Sequence, residues 1–312
     1  MRFIDAYFYR PNFFQKCLAF LLLPISLLYL LIATLRRKMS PFKDFNLPII
    51  SVGNLVAGGS GKTPFIIEIA NHYSKVAVIS RGYKRKSKGL QVVSEWGEIL
   101  CNQSQAGDEA FLIAKSLKKA SVIVCEKREI AIKKAKDMGA EIIFLDDGFR
   151  FNYKKLNILL KPQLQPFFSF PIPSGIYREN PKLYQTADLL IEEGKDYQRE
   201  VNLKNPTSAM LLVTAIANPS RLDAYLPQVV GKVILQDHSD FDPKFLVKKM
   251  KDLNATSLLV TQKDAVKLEQ YNFNLSLLEL KLKISSEVYS QIDRYIQNYY
   301  PDIKEHNPTK IR

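Results

Sequence analysis

The chain has 312 residues, of which 46% are hydrophobic, and a formal net charge of +14 at pH 7. This length suffices for one large or two modest domains, and we expect two. Three scattered cysteines, Cys17, Cys101 and Cys125, exclude a disulfide framework and a cysteine-based zinc site, which is typical of a reducing compartment.

An apolar run from Cys17 to Leu35 is followed directly by Arg36-Arg37-Lys38. As a helix it would extend about 28 Å, close to the thickness of bilayer hydrocarbon. A cleaved signal peptide is disfavoured because the basic triplet follows at once, while a buried core helix and an interfacial helix stay open. We interpret residues 1–38 as a membrane anchor, either spanning or half-inserted, with the following domain in the cytoplasm.

Short apolar strands then alternate with amphipathic helices. Strands are predicted at 48–52, 76–80, 121–125, 141–145 and 156–160, with helices near 62–73, 107–119 and 128–138. This alternation is typical of a parallel sheet with helices on both faces, and therefore of an α/β fold.

The strand pattern stops at a proline-rich stretch from Pro162 to Pro181, which we interpret as an irregular connector. A second alternation follows it. Its strands are predicted at 210–214, 232–235, 257–261 and 277–282, before a terminal helix near 285–299. The predicted organisation is an anchor (1–38), a nucleotide-binding domain (39–160), a connector (161–205) and a second α/β domain (206–312).

Basic clusters such as Lys84-Arg85-Lys86 extend the positive charge along the chain. A basic surface attracts both nucleic acid and anionic lipid. The apolar anchor and the absence of an RNA- or DNA-binding motif favour membrane lipid, and we expect no nucleic-acid partner.

A glycine-rich string, Val56-Ala-Gly-Gly-Ser-Gly-Lys-Thr63, lies between the first predicted strand and helix. Backbone N–H groups of Gly58, Gly59, Ser60 and Gly61 can approach a phosphate closely, Lys62 can neutralise its oxygens, and the Thr63 hydroxyl suits Mg²⁺. Val56 departs from the phosphate-loop pattern, which has glycine there. A chance glycine cluster is the alternative.

Two further acidic positions have a functional and a structural interpretation. Asp146 and Asp147 follow a predicted strand, where carboxylates can face Mg²⁺ or its water shell, or can merely form an Asp-Asp-Gly turn. Asp108 begins a predicted helix, where it could act chemically or simply cap the helix. His238 follows a strand of the second half; His72 and His306 receive no role.

Taken in chain order, several strings resemble the tetraacyldisaccharide 4′-kinase family, the lipid A 4′-kinases of Gram-negative bacteria. The family's loop also lacks the first glycine, so Val56 agrees with the resemblance. The matching strings are Ser51-Val-Gly-Asn-Leu55, Gly58-Gly-Ser-Gly-Lys-Thr-Pro64, Ser80-Arg-Gly-Tyr83, Gly107-Asp-Glu109, Asp146-Asp-Gly-Phe149, Pro173-Ser-Gly175, Arg178-Glu179, Ile216-Ala-Asn-Pro219, Asp237-His238 and Thr261-Gln-Lys-Asp-Ala-Val-Lys267.

The resemblance implies transfer of the γ-phosphoryl group of ATP, with Mg²⁺, to the 4′ hydroxyl of an acylated glucosamine disaccharide 1-phosphate. The implied fold is two Rossmann-like domains of the P-loop type, joined by a hinge and a ribbon, with an N-terminal membrane helix. The implied location is the cytoplasmic face of the bacterial inner membrane, among its lipids.

The resemblance also implies roles for individual residues. Lys62 would hold phosphate, Thr63 and Glu179 the metal ion, and Asp146 or Asp147 would take the Walker-B position. Asp108 would act on the acceptor hydroxyl, paired with His238. Arg128 and Arg178 would be cationic stabilisers.

The chain departs from the family's usual pattern at a few flanking positions: Ala110, Arg150-Phe151 and Asn180. The triplet Lys84-Arg85-Lys86 replaces a more glycine-rich stretch and could meet substrate phosphate, lipid headgroups or only solvent. The sequence leaves two other functions open. One is a membrane-associated ATPase of the deviant P-loop type that drives a partner cycle, and the other is a nonenzymatic lipid-binding scaffold.

Overall fold

The structure is a computed structural model that describes residues 3–58, 61–216, 219–237 and 239–300. The helices along these residues are α1 (Phe3–Tyr9), α2 (Phe13–Leu21), α3 (Leu23–Lys38), α4 (Lys62–His72), α5 (Gln103–Ala106), α6 (Asp108–Ser116), α7 (Arg128–Asp137), α8 (Pro243–Asp252), α9 (Gln262–Leu268) and α10 (Ser286–Gln297). Short 3₁₀ helices cover Pro181–Thr186 and Pro219–Tyr225.

The strands form one sheet of eight strands and one of five, in a mixed α/β fold. The strands are β1 (Ile49–Gly53), β2 (Val76–Ser80), β3 (Gln91–Glu95), β4 (Glu98–Ile99), β5 (Ser121–Val124), β6 (Ile142–Asp146), β7 (Leu156–Leu160), β8 (Leu189–Ile191), β9 (Tyr197–Lys204), β10 (Met210–Thr214), β11 (Gly231–Ile234), β12 (Ser257–Thr261) and β13 (Leu275–Ile284).

The described residues divide into two compact units. The first lies within Met1–Lys62, Ile142–Tyr197 and Ser285–Asn307, and the second within Thr63–Glu141 and Gln198–Ile284. Each unit combines segments from distant parts of the chain. The boundaries predicted above, at 39–160, 161–205 and 206–312, follow the strand alternation along the sequence and stay a prediction.

In the first unit, four neighbouring strands of the larger sheet lie in the order β6-β1-β7-β8. β1 pairs in parallel with β6 on one side and with β7 on the other, and β7 pairs in parallel with β8. All five residues of β1 and all five of β6 are buried. Strands of this kind are buried on both faces and therefore have continuous apolar runs, which is why the sequence pattern located them.

In the second unit, four neighbouring strands of the larger sheet lie in the order β4-β3-β5-β2. The strands of the five-stranded sheet lie in the order β11-β10-β12-β13-β9. β2 and β5 are parallel, as predicted. β3 is antiparallel to both β4 and β5, so this part of the sheet is mixed. The β3–β4 hairpin was not predicted, because its short strands carry polar residues and are only partly buried.

The five-stranded sheet has apolar side chains on both faces. Leu211 and Val213 of β10 belong to one core cluster with helices α8 and α9, whereas Met210 and Leu212 belong to a second cluster. Successive side chains of a strand point to opposite faces, so a run of apolar residues serves two packing layers. The predicted strands 210–214 and 257–261 have the bounds of β10 and β12.

The predicted length of the N-terminal apolar run assumed one straight helix. The run instead forms two helices. α2 ends at Leu21 and α3 begins at Leu23, with a bend of 51° between them. Pro24 lies in the first turn of α3, a position where its missing N–H group leaves no intrahelical hydrogen bond unmade. Among the described residues no single helix combines the length and apolarity of a membrane span; α2 and α3 together meet both criteria.

One side of α3 is fastened to the segment around residue 174. The hydroxyl of Ser26, fully buried, donates to Ser174 Oγ at 2.8 Å and accepts from the Ser174 backbone N–H at 2.9 Å. The Tyr29 hydroxyl donates to the carbonyl oxygen of Arg178 at 3.0 Å. The polar side of α3 is therefore buried against the protein, while apolar side chains of the same helix, such as Leu28 and Leu31, are more than half exposed.

We expect Ser26→Ala to speed hydrogen exchange of the Ser174 amide, because the substitution removes the acceptor of that buried N–H group. An unsatisfied buried donor costs about 1–3 kcal/mol, which corresponds to roughly a five- to hundredfold faster exchange. Thr34→Ala is the matched control, since the Thr34 hydroxyl bonds within its own helix, to Leu30 O. Unchanged exchange at Ser174 in Ser26→Ala would contradict the fastening role.

Candidate functional site

The carboxyl ends of β1 and β6 lie side by side, and this places the first group of predicted residues. Val52 is in register with Asp146, and the backbone N–H of Asp147 donates to Val52 O at 2.9 Å. Asp146 is the last residue of β6 and is buried. The two aspartates therefore lie at the carboxyl end of β6, where the sequence predicted them, and next to the point where the chain leaves β1 and enters the glycine-rich loop.

The glycine-rich loop ends at the first turn of α4. Gly58 and Gly61 have φ angles of +96° and +82°, which residues with a Cβ rarely adopt. Gly59 and Ser60 lie outside the described residues. Lys62 and Thr63 are the first two residues of α4, where the free N–H groups of a helix start attract anions.

Two cations and an amide form a cluster beside this loop. The buried side-chain oxygen of Asn54, the residue after β1, accepts from Lys62 Nζ at 3.0 Å and from Arg178 Nη2 at 2.5 Å. Arg178 also forms a two-pronged ion pair with Asp147, at 2.8 and 3.1 Å. The lysine and the arginine are thus held together at the strand edge by one shared acceptor.

Asp147 has an unusual backbone and a perturbed carboxyl group. Its φ angle is +56°, a left-handed conformation that aspartate tolerates better than most residues. Burial by itself would raise the pKa of Asp147, but the positive charges of Lys62 and Arg178 outweigh it and hold the pKa below the ordinary value. The Asp-Asp-Gly string is a turn, but one whose carboxylate is bound to a cation cluster.

Arg178 reaches the cluster because the proline-rich segment packs on the chain that follows β1. The N–H of Arg178 donates to Leu55 O at 2.7 Å, and the N–H of Ala57 donates to Ile176 O at 2.9 Å. Ile176 and Tyr177 are buried in a cluster with Leu55, Val56, Phe149 and Leu159. Part of the predicted irregular connector is therefore an ordered wall of this site.

Glu179 is buried and forms an ion pair with Arg150 Nε at 2.6 Å. Arg150 is one of the positions at which the sequence departs from the family's usual pattern. In this structure its guanidinium group neutralises the glutamate that the resemblance assigns to the metal ion. The role of Glu179 toward a metal stays a prediction.

Asp108 lies in the second unit, at the start of α6. Gly107 occupies the N-cap position and the helix has no side-chain cap, so the capping interpretation of Asp108 is wrong. Its carboxylate instead forms an ion pair with Lys267 Nζ at 2.9 Å, and accepts from Gln103 Nε2 at 2.8 Å. Lys267 belongs to α9, which packs against α6.

A second lysine of α9 connects two further acidic residues of the same unit. Lys263 Nζ lies 3.8 Å from a carboxylate oxygen of Glu109 and 3.4 Å from one of Asp237. His238, the predicted partner of Asp108, lies outside the described residues. The residue immediately before it, Asp237, is thus connected through Lys263 to the neighbour of Asp108.

The remaining predicted arginine, Arg128, begins α7 in the second unit. It is almost fully buried and donates to the carbonyl oxygen of Cys125, the residue after β5. Its role as a cationic stabiliser stays a prediction. Among the described residues, no group of three or more His, Cys, Asp or Glu side chains converges as a metal site.

The Lys84-Arg85-Lys86 triplet contains one residue with a structural function. Arg85 is almost completely buried, forms an ion pair with Glu126 at 2.6 Å, and donates to the carbonyl oxygen of Gly89. It therefore closes the loop from 82 to 89 upon itself. For Arg85 the interpretation as a solvent-exposed charge is wrong; the roles of Lys84 and Lys86 stay open.

Sequence reasoning missed three residues of these clusters: Asn54, Lys263 and Lys267. All three lie in strings quoted above for the resemblance, but nothing local to them predicts their contacts. Asn54 directly follows a buried strand, which was the available signal. The partners of Lys263 and Lys267 on α6 lie about 155 residues earlier in the chain, and only the packing of the two helices brings them together.

We expect Asn54→Leu to weaken ATP binding at least about tenfold, because Lys62 and Arg178 lose the acceptor that holds them together. A buried hydrogen bond to a charged group is typically worth about 1.5–3 kcal/mol. Calorimetric titration with Mg-ATP would measure the change. Asn152→Leu is the control, since this exposed amide of the same unit donates to Ser40 O, away from the cation cluster. Unchanged affinity in a folded Asn54→Leu protein would rule out the role.

Comparison with known proteins identifies relatives over nearly the whole chain. The family model described as tetraacyldisaccharide-1-P 4′-kinase matches residues 18–210 and 198–297. A tetraacyldisaccharide 4′-kinase of Helicobacter pylori strain J99 is 58% identical over 305 residues, which cover 97% of this chain and 98% of the relative. A tetraacyldisaccharide 4′-kinase of Aliarcobacter butzleri is 44% identical, covering 95% of this chain and 97% of the relative.

A solved structure agrees with these relatives. It is the "apo" form of LpxK from Aquifex aeolicus in complex with ATP, which is 30% identical and covers 91% of this chain and 99% of that chain, with a TM-score of 0.74. The family model and the long relatives lead to the same conclusion as the strings quoted from the sequence. The chain belongs to the tetraacyldisaccharide-1-P 4′-kinase family.

Proposed function

We propose that this chain is an enzyme that uses ATP to phosphorylate the 4′ hydroxyl of tetraacyldisaccharide 1-phosphate in lipid A biosynthesis. The observation that carries the proposal is family membership over almost the entire chain, at up to 58% identity. The cation cluster beside the glycine-rich loop supports it, because phosphoryl transfer depends mainly on positioning and on neutralising phosphate charge.

The triphosphate of ATP binds at the glycine-rich loop. Gly58, Gly59, Ser60 and Gly61 supply backbone N–H groups, and Lys62 supplies a charge that Asn54 already holds in place. Arg178 supplies a second positive charge, and its guanidinium group donates to the same amide oxygen of Asn54. These groups offset the negative charge that the transferred phosphoryl group presents in the transition state.

The residues fit Mg²⁺ because they are oxygen donors at the strand edge beside the loop. In nucleotide sites Mg²⁺ usually takes one or two carboxylates together with phosphate oxygens and water. Asp146 and Asp147, with the Thr63 hydroxyl and Glu179, are the proposed ligands, directly or through water. The ion would draw charge from the phosphate oxygens.

Asp108 is the proposed proton acceptor for the acceptor hydroxyl, with His238 as its proposed partner. The 4′ oxygen forms a bond to the γ phosphorus while the bond from that phosphorus to the bridging oxygen of ADP breaks. The hydroxyl proton passes to the Asp108 carboxylate. Arg128 joins Arg178 as a proposed cationic stabiliser of the charge that moves to the leaving ADP.

We propose that the protein works at the cytoplasmic face of the bacterial inner membrane, where its acylated substrate is available. The support is the apolar surface of the bent pair α2 and α3, on which Phe13, Phe14 and Leu21 have relative exposures of 73%, 81% and 76%. Such a surface is costly in water and favourable at a lipid interface. The finer architecture implied by the resemblance, two Rossmann-like P-loop domains joined by a hinge and a ribbon, belongs to this proposal.

The alternative is a membrane-associated deviant P-loop ATPase that hydrolyses ATP for a partner cycle. An assay of ATP consumption with and without tetraacyldisaccharide 1-phosphate lipid, with mass analysis of the lipid, separates the two functions. The kinase consumes one ATP per lipid that gains a phosphate, about 80 Da. Lipid-independent consumption without a heavier product would overturn the kinase proposal.

We expect Lys62→Ala and Thr63→Ala each to lower phosphoryl transfer by roughly two to three orders of magnitude. The first removes a phosphate-binding charge and the second a metal ligand, and loss of one transition-state contact typically costs about 3–4 kcal/mol. Single-turnover kinetics with saturating lipid would measure it. Lys75→Ala, a surface lysine that pairs with Glu141, is the control. Near-normal turnover of both loop variants would exclude the loop as the nucleotide site.

We expect serine at Phe13, Phe14 and Leu21 together to release much of the protein from membrane vesicles, since burying each such side chain contributes about 1.5–3 kcal/mol. Flotation with vesicles containing anionic lipid would measure it. The control replaces the exposed apolar residues Phe245 and Val247 of α8 with serine. Equal binding of the two variants would contradict attachment through α2 and α3.

A further inference from the structure

The string Thr261-Gln-Lys-Asp-Ala-Val-Lys267 forms the end of β12 and helix α9, and its side chains have two kinds of contact. Thr261 and Asp264 face inward to fix the helix, whereas Lys263 and Lys267 contact the acidic start of α6. Nothing in the proposed function so far explains why two cations should be held there.

Asp264 fastens the start of α9 to the neighbouring strand end. Its carboxylate is buried and accepts from Thr214 Oγ1 at 2.8 Å, Thr261 Oγ1 at 2.8 Å and the Ala215 N–H at 3.1 Å. A buried carboxylate is stable only with such donors. The helix that carries both lysines is therefore rigidly placed on the five-stranded sheet.

Lys267 is buried as well, with a relative side-chain exposure of 6%. Its ammonium group lies 2.9 Å from Asp108 Oδ2 and donates to the Ser239 carbonyl oxygen at 3.1 Å. The other oxygen of Asp108 accepts from Gln103. Each carboxylate oxygen thus has its own donor, which prevents rotation of the group.

We propose that Lys267 is a positioning residue for the phosphoryl transfer, and that its ammonium group keeps the Asp108 carboxylate ionised and in one orientation toward the acceptor hydroxyl. The inference rests on the proposed function, in which Asp108 takes the proton of that hydroxyl. It adds a role for Lys267 and, with it, an explanation of the α9 string.

A neighbouring cation has two opposed effects on such a base. It makes the carboxylate a weaker proton acceptor, and it keeps the carboxylate charged and aligned. In phosphoryl transfer through a loose transition state, the attacking hydroxyl needs alignment more than it needs a strong base. Misplacing a reacting group by about 1 Å can cost a hundredfold in rate. Alignment is therefore the larger effect.

Other charged groups of the described residues near Asp108 lie on the neighbouring elements. Glu109 is the next residue of α6 and contacts Lys263 of α9, which also contacts Asp237 after β11. Arg85, whose stem packs near Gly107, is paired with Glu126. Lys267 is in direct contact with the Asp108 carboxylate, at 2.9 Å.

The test is the pH dependence of kcat in Lys267→Met, a variant of similar shape without charge. We expect the acid limb of the profile to move upward by about one pH unit or more, because a carboxylate that loses an adjacent cation binds a proton more readily. We also expect kcat at the optimum to fall roughly ten- to hundredfold, with KM for ATP unchanged. Lys267→Arg, which keeps the charge, should leave the acid limb in place.

The matched control is Lys115→Met. Lys115 forms an ion pair with Glu269, so it also connects α6 to the end of α9, but two helical turns away from Asp108. A merely structural role of Lys267 predicts that both methionine variants lower thermal stability and that neither moves the acid limb. If Lys267→Met does not fold, Lys267→Gln, which keeps a donor but no charge, decides the same question.

A double-mutant cycle gives a second readout. Because Lys267 acts through Asp108, Lys267→Met should cause no further loss of kcat in an Asp108→Asn background. An unmoved acid limb, or full additivity of the two losses, overturns the role of Lys267 while the kinase assay of the wild type still holds. A wild-type protein without lipid-dependent transfer overturns both proposals.

Discussion

The parallel pairing of β1 with β6 is the constraint on which the first group of site residues depends. It fixes Val52 opposite Asp146, so the chain that leaves β1 and the chain that leaves β6 emerge at one edge. Asn54 and Asp147 follow within two residues of that edge, and a single arginine, Arg178, binds both. A shift of the pairing by one residue would reverse which face of the sheet each side chain occupies, and the side chains of the cluster would no longer be in contact.

The sequence predicted several strands with accurate bounds, because those strands are buried on both faces of the sheet. Several predicted bounds, including 76–80 and 156–160, are those of β2 and β7. The rule that ligands bind at the carboxyl ends of parallel strands also led us to expect Asp146 and Asp147 at that edge of the sheet, from the sequence alone. Positions that follow directly from a strand end or a loop pattern are therefore accessible to sequence reasoning.

Positions that depend on packing between distant segments were not accessible. The partner of Asp108 is a lysine on α9, and an isolated Gly-Asp-Glu string left a helix cap open as its structural interpretation. The break between α2 and α3 was missed because apolar composition continues through it, although Pro24 marks the place. Arg85 was missed as a structural residue because its partner Glu126 lies 41 residues later, in the loop between β5 and α7.

The segment from Phe170 to Arg178 connects the two functions proposed for the first unit. On one side it is fastened to α3, through Ser174 with Ser26 and through the Arg178 carbonyl with Tyr29. On the other side its backbone forms hydrogen bonds with the chain after β1, next to Asn54 and the glycine-rich loop.

This segment also faces the exposed apolar helices. The ring of Phe170, the first residue of the segment, lies 5.7 Å from the ring of Phe20 on α2, and the ring of Phe168, two residues before the segment, lies 5.6 Å from it. Arg37, one of the three cations that end the apolar run, lies over the ring of Phe149 near the same wall. The helices that we propose attach the enzyme to lipid and the arginine that we propose binds phosphate therefore share one packed support. Because that support is a continuous backbone with buried hydrogen bonds, the apolar surface and the cations proposed to bind phosphate are held in a fixed relation within the unit.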